Sequence, residues 1–404
     1  MFGRVKLYNV GFALFTFGSG LCSISQTGEQ LVLFRIIQAL GAAFLFSNSA
    51  AIITDTFQEN ERAKALGLNQ ISIVVGSVVG LVFGGFLTSY LGWRSIFWVN
   101  IPIGIFATIW SYAKLKELGT IRKEKIDWVG NATFAAGLFL ILLGVTFGAF
   151  RIISLFEISL FIIGGVSLLI FFVFIEKKVP RPMFDLALFK IRIFTGGNIA
   201  IFLNALARGA FTLIMSFYLQ APSMKLNALD AGTYLIPVSV ALATFAPLSG
   251  WLYDKYKLRI LAPLGLLVSG IGFFILTTIG VTASFHWLVT PLLLVGAGMG
   301  IFASPNRASI MTSVPTYRRG VSASISTTFV MTGNAFSIGF VFLIMTNFIS
   351  LHAVEQLFSG SFGASSVIIY KPIVDKFLSS IHFIFFVSGV MMLVSIIPSV
   401  IRWK

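Results

Sequence analysis

Residues 286–310 read HWLVTPLLLVGAGMGIFASPNRASI, with Arg307 as the one Lys, Arg, Asp or Glu. As a helix rising ~1.5 Å per residue this stretch is ~37 Å long, enough to cross ~30 Å of hydrocarbon. It runs into a short basic loop at 311–319 and then a second apolar, small-residue stretch at 320–347. Transmembrane barrel strands are ~10 residues long with alternating polarity, and nothing here alternates in that way. The same layout recurs through the chain, and twelve spans are expected: 7–25, 30–54, 66–90, 94–114, 129–149, 154–175, 193–220, 231–252, 260–280, 286–310, 320–347 and 378–401. The 404 residues are 57% hydrophobic and 11% charged, so a soluble core is excluded and an all-α polytopic membrane protein is expected.

The formal net charge of +15 raises the question of a nucleic-acid surface. Position argues for membrane topology instead. Loops at 1–6, 55–65, 114–127, 176–192, 254–259, 311–319 and 402–404 carry 21 Lys and Arg, and the alternate loops carry five. The excess marks the cytoplasmic side, which places both termini there. No nucleic-acid partner is expected; the lipid bilayer is. Cys22 is the only cysteine, so no internal disulfide or thiolate metal site is available. His286, His352 and His382 lie far apart near expected outer surfaces and read as interfacial residues. No H-E-x-x-H, G-x-S-x-G, Walker A or haem-attachment motif is present, so an enzyme, an ATP-driven pump, a metal and a cofactor are not expected.

A weak internal repeat organises the chain. Shifted by 257 residues, Gly41, Ser47, Ala51, Ile53, Arg62 and Gly76 fall on Gly298, Ser304, Ala308, Ile310, Arg319 and Gly333. In both copies a glycine-rich span enters a short basic loop and then a small-residue span. The counterparts of spans 193–220 and 231–252 would precede Met1, and Met1 to Lys6 read as the tail of a basic loop. The expected domains are 1–114, an incomplete N-terminal bundle of four spans; 115–192, an inserted two-span hairpin with basic flanks; and 193–404, a six-span bundle. Residues 1–25 also fit a cleaved signal peptide, with Ser23-Ile24-Ser25 as the small-x-small site. The 348–377 stretch is expected to be an outer loop, in part helical. Parallel repeated halves are the architecture of alternating-access carriers.

Ionisable groups within spans are the sharpest functional clue, because one at the bilayer centre costs ~2.5–3.5 kcal/mol on insertion scales. Arg208 lies mid-span with Asn204 one turn earlier, and is expected to face a wet cavity or to hydrogen-bond helix carbonyls. Arg35 lies near the start of its span with Gln38 at i+3, from where it can snorkel. Arg307 is read as snorkelling and Glu157 as solvated. No Asp or Glu lies in the middle of a span. Asn100 and Asn306 are further polar candidates for a central cavity. Gly76, Gly80 and Gly84 recur every four residues, with Gly85 following, and are expected to form a helix-packing face. Prolines 102, 237 and 247 lie within spans, where they kink helices.

Several of these stretches resemble the major facilitator superfamily, and more narrowly its fourteen-span drug:proton antiporters of the EmrB/QacA type. Phe2-Gly3-Arg4-Val5-Lys6 looks like the end of that family's cytoplasmic loop motif, and Gly250 to Arg259, with Gly250 and Asp254, like its second copy. Arg35-Ile36-Ile37-Gln38-Ala39-Leu40-Gly41 resembles R-x-x-Q-G-x-G, with Ala39 in place of a glycine. Residues 76–85 resemble the antiporter motif G-x-x-x-G-P-x-x-G-G, with Leu81 in place of the proline. Trp93 to Gly104 is similar to W-R-W-I-F-x-I-N-V-P-I-G. The resemblance implies a bundle of two repeated halves with twelve of fourteen spans present and the first two missing. The motif aspartate of the family's first span has no counterpart in this sequence. It also implies a multi-pass protein of the plasma membrane, a monomer, that exports drugs or other amphiphilic small molecules in exchange for protons. A metabolite uptake symporter on the same fold and a non-transporting truncated remnant are the alternatives.

Overall fold

The computed structural model describes residues 3–58, 69, 72, 76, 79–117, 127–179, 182–221, 223–315, 318–350, 352–353 and 367–403. Among these the regular elements are helical, and ten helices are long and apolar enough to cross a membrane. Two shorter apolar helices accompany them. Most of the loop at 55–65, and residues 351 and 354–366 of the stretch 348–377, lie outside the described residues. The helices carry large apolar side chains outward, among them Phe17, Phe106, Trp110, Leu155, Phe156 and Phe174. An exterior of this kind is stable against hydrocarbon and not against water.

The chain divides into two compact units, residues 1–125 with 227–233, and residues 126–226 with 234–404. The first contains α1 (Arg4–Ile24), α2 (Gly28–Thr56), α3 (Val79–Leu91), α4 (Ser95–Trp98) and α5 (Asn100–Lys114). It also takes in most of α10 (Ala228–Tyr234). Helices α1 and α2 touch along their backbones: a Cβ on Gly41 would lie 2.4 Å from the Phe15 nitrogen, and one on Gly18 2.6 Å from the Gln38 nitrogen. Helix α1 is capped from a distance. Gly3, at φ 82°, turns the chain so that the amides of Arg4 and Val5 donate to the two Glu117 oxygens, at 3.0 and 2.9 Å. A carboxylate there offsets the positive end of the helix dipole. Arg4 in turn pairs with Asp55 at 2.5 Å.

The second unit contains α6 (Trp128–Ala149), α7 (Leu155–Glu176), α8 (Arg192–Arg208), α9 (Phe211–Gln220), α11 (Ile236–Tyr256), α12 (Leu261–Leu276), α13 (Phe285–Thr312), α14 (Arg319–Phe348) and α15 (Val367–Ile401). A 3-10 turn at Leu186–Lys190 leads into α8. The hairpin α6–α7 packs against α14, so it belongs to the same unit as the C-terminal helices. Helix α7 starts with a capping box in which Ser154 and Glu157 satisfy each other's amides, which gives Glu157 a structural task at the helix end.

Helix α13 shows what its glycines do. Gly296 and Gly300, one turn apart, face α11, where added Cβ atoms would meet the Val238 oxygen at 2.2 Å and the Ala246 nitrogen at 2.8 Å. Gly298 faces α12, with the Ser269 nitrogen at 2.3 Å. Ser249 and Ser269 donate to the Gly300 and Val295 carbonyls at 3.0 and 2.9 Å. Small residues thus give close packing where apolar burial supplies no driving force between helices. The repeat relation has a physical counterpart, since Gly41 and Gly298 each abut the helix that precedes their own.

Two spans are segmented. The span expected at 193–220 is broken between α8 and α9 at Gly209 and Ala210, and α10 and α11 are separated at Leu235, with Pro237 in the first turn of α11. Pro102 likewise lies in the first turn of α5, where its missing N–H is harmless. Pro247, Pro291 and Pro305 sit inside continuous helices.

Gly298→Ala is expected to lower the thermal unfolding midpoint in detergent, at a cost of about 1–3 kcal/mol from overpacking against backbone. Gly320→Ala, at a position with open space around it, leaves the midpoint unchanged.

Candidate functional site

In the first unit the two motif stretches around Arg35 and Trp93 come together. The Gln38 amide nitrogen donates to Ser19 Oγ at 2.7 Å, and its oxygen accepts from the Arg35 guanidinium at 3.1 Å. Gln38 is 4% exposed, so it carries the polarity of the exposed Arg35 back to α1. The Arg35 guanidinium lies 4.8 Å from the centre of the buried Phe97 ring, a cation–π contact. Arg94 sits 4.4 Å over Trp93 and donates to the Ser25 carbonyl at the end of α1, at 2.7 Å. The Trp93–Gly104 stretch therefore orients Arg35 and closes α1 through two different side chains. Asn100 bonds the Ile96 carbonyl at 3.2 Å across the junction of α4 and α5. It bridges a helix joint in this structure and is half-buried.

The glycine face behaves differently from the expectation. Gly76, Gly80 and Gly84 meet nothing within 4 Å among the described residues. Gly85 makes the close approach, with a Cβ there 2.5 Å from the Ala228 oxygen in α10. Gly232 answers it 2.7 Å from the Leu81 oxygen, and Ser89 accepts from the Leu229 amide at 3.2 Å.

In the second unit Arg208 ends α8 at the break, deep within a segment long enough to span a membrane. Its Nε donates to Asn204 Oδ1 at 3.0 Å, and Asn204 reaches the Met392 sulfur at 3.3 Å. The broken ladder is repaired by α14: the Ala210 amide donates to Ser337 Oγ at 2.9 Å, and Gly209 lets the Asn334 backbone close in. Asn334 Oδ1 is buried without a hydrogen-bond partner. No acidic group forms an ion pair with Arg208 among the described residues. The break thus gathers a guanidinium, the Asn204 amide and the Ser337 hydroxyl.

Asn306 does not line a cavity. It is fully buried, its Nδ2 donates to the Gly197 carbonyl at 3.2 Å, and its oxygen accepts from the Arg402 guanidinium. Burial pushes Arg402 down to about 10, still well above neutrality, so a charged group sits there on neutral partners. Gly250 packs on Ser304 and Asp254 is exposed, with no ion pair among the described residues. His382 bonds the Ile279 carbonyl at 2.7 Å. The sequence reading passed over the partner residues Ser19, Phe97 and Ser337, since an apolar or hydroxylic residue within a span carries no signal of its own. It also passed over Glu176, which it placed at the edge of a cytoplasmic loop and which is buried.

Comparison with known proteins fits this geometry. The Major Facilitator Superfamily profile matches residues 1–338. The chain belongs to that superfamily. It is therefore a multi-pass membrane transporter of small molecules, with an all-helical fold. It is 31% identical over 335 residues to the riboflavin transporter RibZ of Clostridioides difficile, covering 81% of this chain and 70% of that one. It is 28% identical over 370 residues to multidrug resistance protein 3 of Bacillus subtilis, covering 90% and 71%. The lincomycin resistance protein LmrB of Listeria monocytogenes is 27% identical, covering 74% and 63%. Among solved structures, the POT family transporter PepTSo superposes with a TM-score of 0.68 at 15% identity, covering 100% of this chain and 84% of that one. A bacterial homologue of the lysosomal transporter Spinster gives 0.66 at 16%, covering 99% and 83%. These likenesses carry the fold.

Ser337→Ala would leave the Ala210 amide unpaired in a buried setting, at a cost of about 1–3 kcal/mol. Ser337→Thr retains the acceptor. A lower unfolding midpoint for the alanine variant than for the threonine variant is the expected result.

Proposed function

We propose that this chain is a proton-coupled exporter of amphiphilic small molecules, of the fourteen-span drug:proton antiporter type. The observation that carries the reading is the polar cluster at the break between α8 and α9. A guanidinium in a membrane span is expensive, and here its only hydrogen-bond partner among the described residues is Asn204. Arg208 and Asn204 offer a substrate one cation and one amide group in an otherwise apolar setting. Such a site suits neutral or anionic amphiphiles. The drug-resistance relatives support export, and Arg35 with Gln38 supplies the matching charged device in the first unit. In this reading the basic loops anchor the cytoplasmic face, both termini lie on that face, and the protein works as a monomer in the plasma membrane.

The test is transport of a fluorescent amphiphile in proteoliposomes of known orientation with an imposed pH gradient. Export driven by the gradient and abolished by a protonophore is the expected outcome. Arg208→Ala should reduce the rate at least about tenfold, equivalent to ~1.4 kcal/mol of lost stabilisation. Wild-type rates in that variant would remove Arg208 from the mechanism. The similarity to a riboflavin transporter favours a second reading, uptake of a metabolite by symport on the same fold. Counterflow in vesicles of each orientation separates the two, because the driven direction reverses.

A further inference from the structure

Glu176 is the last residue of α7 and is 3% exposed, yet neither carboxylate oxygen has a hydrogen-bond partner among the described residues. The Phe184 and Met183 amides approach it and act on it electrostatically. Asp127, the N-cap of α6, lies close enough to act on it electrostatically. One Asp127 oxygen accepts from the Gly130 amide at 2.8 Å, and the other is buried and unpartnered. One turn before Glu176, Phe172 joins Phe134 and Phe184 in an aromatic cluster with centroids 5.1–5.6 Å apart.

The charged groups of the surrounding elements are engaged elsewhere. On α7, Lys177 is exposed and turned to the Phe174 ring, and Lys178 is exposed. On the following segment, Lys190 is exposed and Asp185 pairs with Arg318 of α14 at 2.5 Å. A buried Glu176 carboxylate beside the half-buried Asp127, with no described cation paired to it, is costly to keep charged, and a proton is the cheapest neutraliser. A hard metal cation takes six or more oxygen ligands. Among the described residues no cluster of three or more metal-binding side chains exists, and phenyl rings line this site.

We propose that Glu176 is a proton-binding site, carrying one proton on its carboxyl beside the Asp127 N-cap, that latches residues 182–191 onto the α6–α7 hairpin. Phe184 and Leu188 of that segment enter a core cluster with Phe172, Phe194, Ile310, Val314 and Ile325. This cluster ties the hairpin to α8, α13 and α14. Loss of the proton puts a bare charge at its edge, draws in water and loosens the segment; uptake of the proton reseats it. The role of this latch in transport rests on the proton-coupled reading above, whereas the protonation itself does not.

The test uses the full chain in lipid nanodiscs and dicyclohexylcarbodiimide, which adds whole across the O–H of a protonated carboxyl in an apolar setting. Peptide mass spectrometry is expected to find the adduct at Glu176, with labelling that falls about tenfold per pH unit above the midpoint, as for one proton. High sodium should leave it unchanged. Hydrogen exchange over Phe184–Leu188, corrected for its intrinsic pH dependence, should quicken at least about tenfold with rising pH in the wild type. In Glu176→Gln, which is permanently neutral, it should stay slow. In proteoliposomes the same variant should show a flattened pH dependence of flux. Absence of the adduct, suppression by sodium at constant pH, or a wild-type exchange profile in Glu176→Gln would each overturn the site. Wild-type flux that ignores the pH gradient would instead refute the proton-coupled reading, with the labelling still deciding the site.

Discussion

In hydrocarbon a backbone amide has no water to turn to, so every N–H and C=O within a span must find its partner inside the protein. That constraint makes this chain a set of helices and dictates where the helices can depart from regularity. The break at Gly209–Ala210 exists because α14 brings Ser337 to the Ala210 amide and because Gly209 admits the Asn334 backbone. The interruptions near Pro102 and Pro237 fall where the proline ring occupies a first helical turn and no ladder bond is lost. Where helices stay continuous, close packing falls to glycine and serine. Gly296, Gly298 and Gly300 let α13 press on two neighbours at once, and Ser249 and Ser269 donate to its carbonyls.

The same constraint sorts the charges. Arg35 keeps to the surface of α2, and its charge is shared with Gln38 and the Phe97 ring. Arg402 is 4% exposed and rests on the Asn306 oxygen and the Ser399 carbonyl, a neutral cradle that also holds the end of the last helix. Arg208 has Asn204 as its hydrogen-bond partner among the described residues, the least complete of the three settings. Glu176 has no hydrogen-bond partner among the described residues, which is why it points to a proton. A fully satisfied charge is a structural element, and a partly satisfied one is where binding can gain free energy.

The spans, the helical class and the family motifs were legible because they are local. A run of about twenty apolar residues can only cross as a helix, and Trp93 to Gly104 or Arg35 to Gly41 can be matched residue by residue. Partnership was not legible. Asn306 and Asn204 look alike in sequence, a lone asparagine within a span, yet one is sealed against Gly197 and Arg402 and the other serves Arg208. Of the glycine set Gly76, Gly80, Gly84 and Gly85, it is Gly85 that makes a close contact among the described residues, with Ala228. Glu176 follows the last apolar residue of its span and carries no signal of its own in the sequence, yet it is buried in the fold.

Hydropathy, the placement of Lys and Arg, and the motif residues are properties of the chain in its own order, so the sequence by itself determined a polytopic helical transporter and named Arg35, Gln38 and Arg208. Which polar groups are sealed and which glycine is touched depend in large part on residues far apart in the chain that meet only after folding. Pairs such as Arg94 with Ser25, Ala210 with Ser337 and Arg402 with Asn306 were decided by tertiary structure alone. The energy of a polar group in a membrane is set by its partner, and no local pattern encodes a partner that far away.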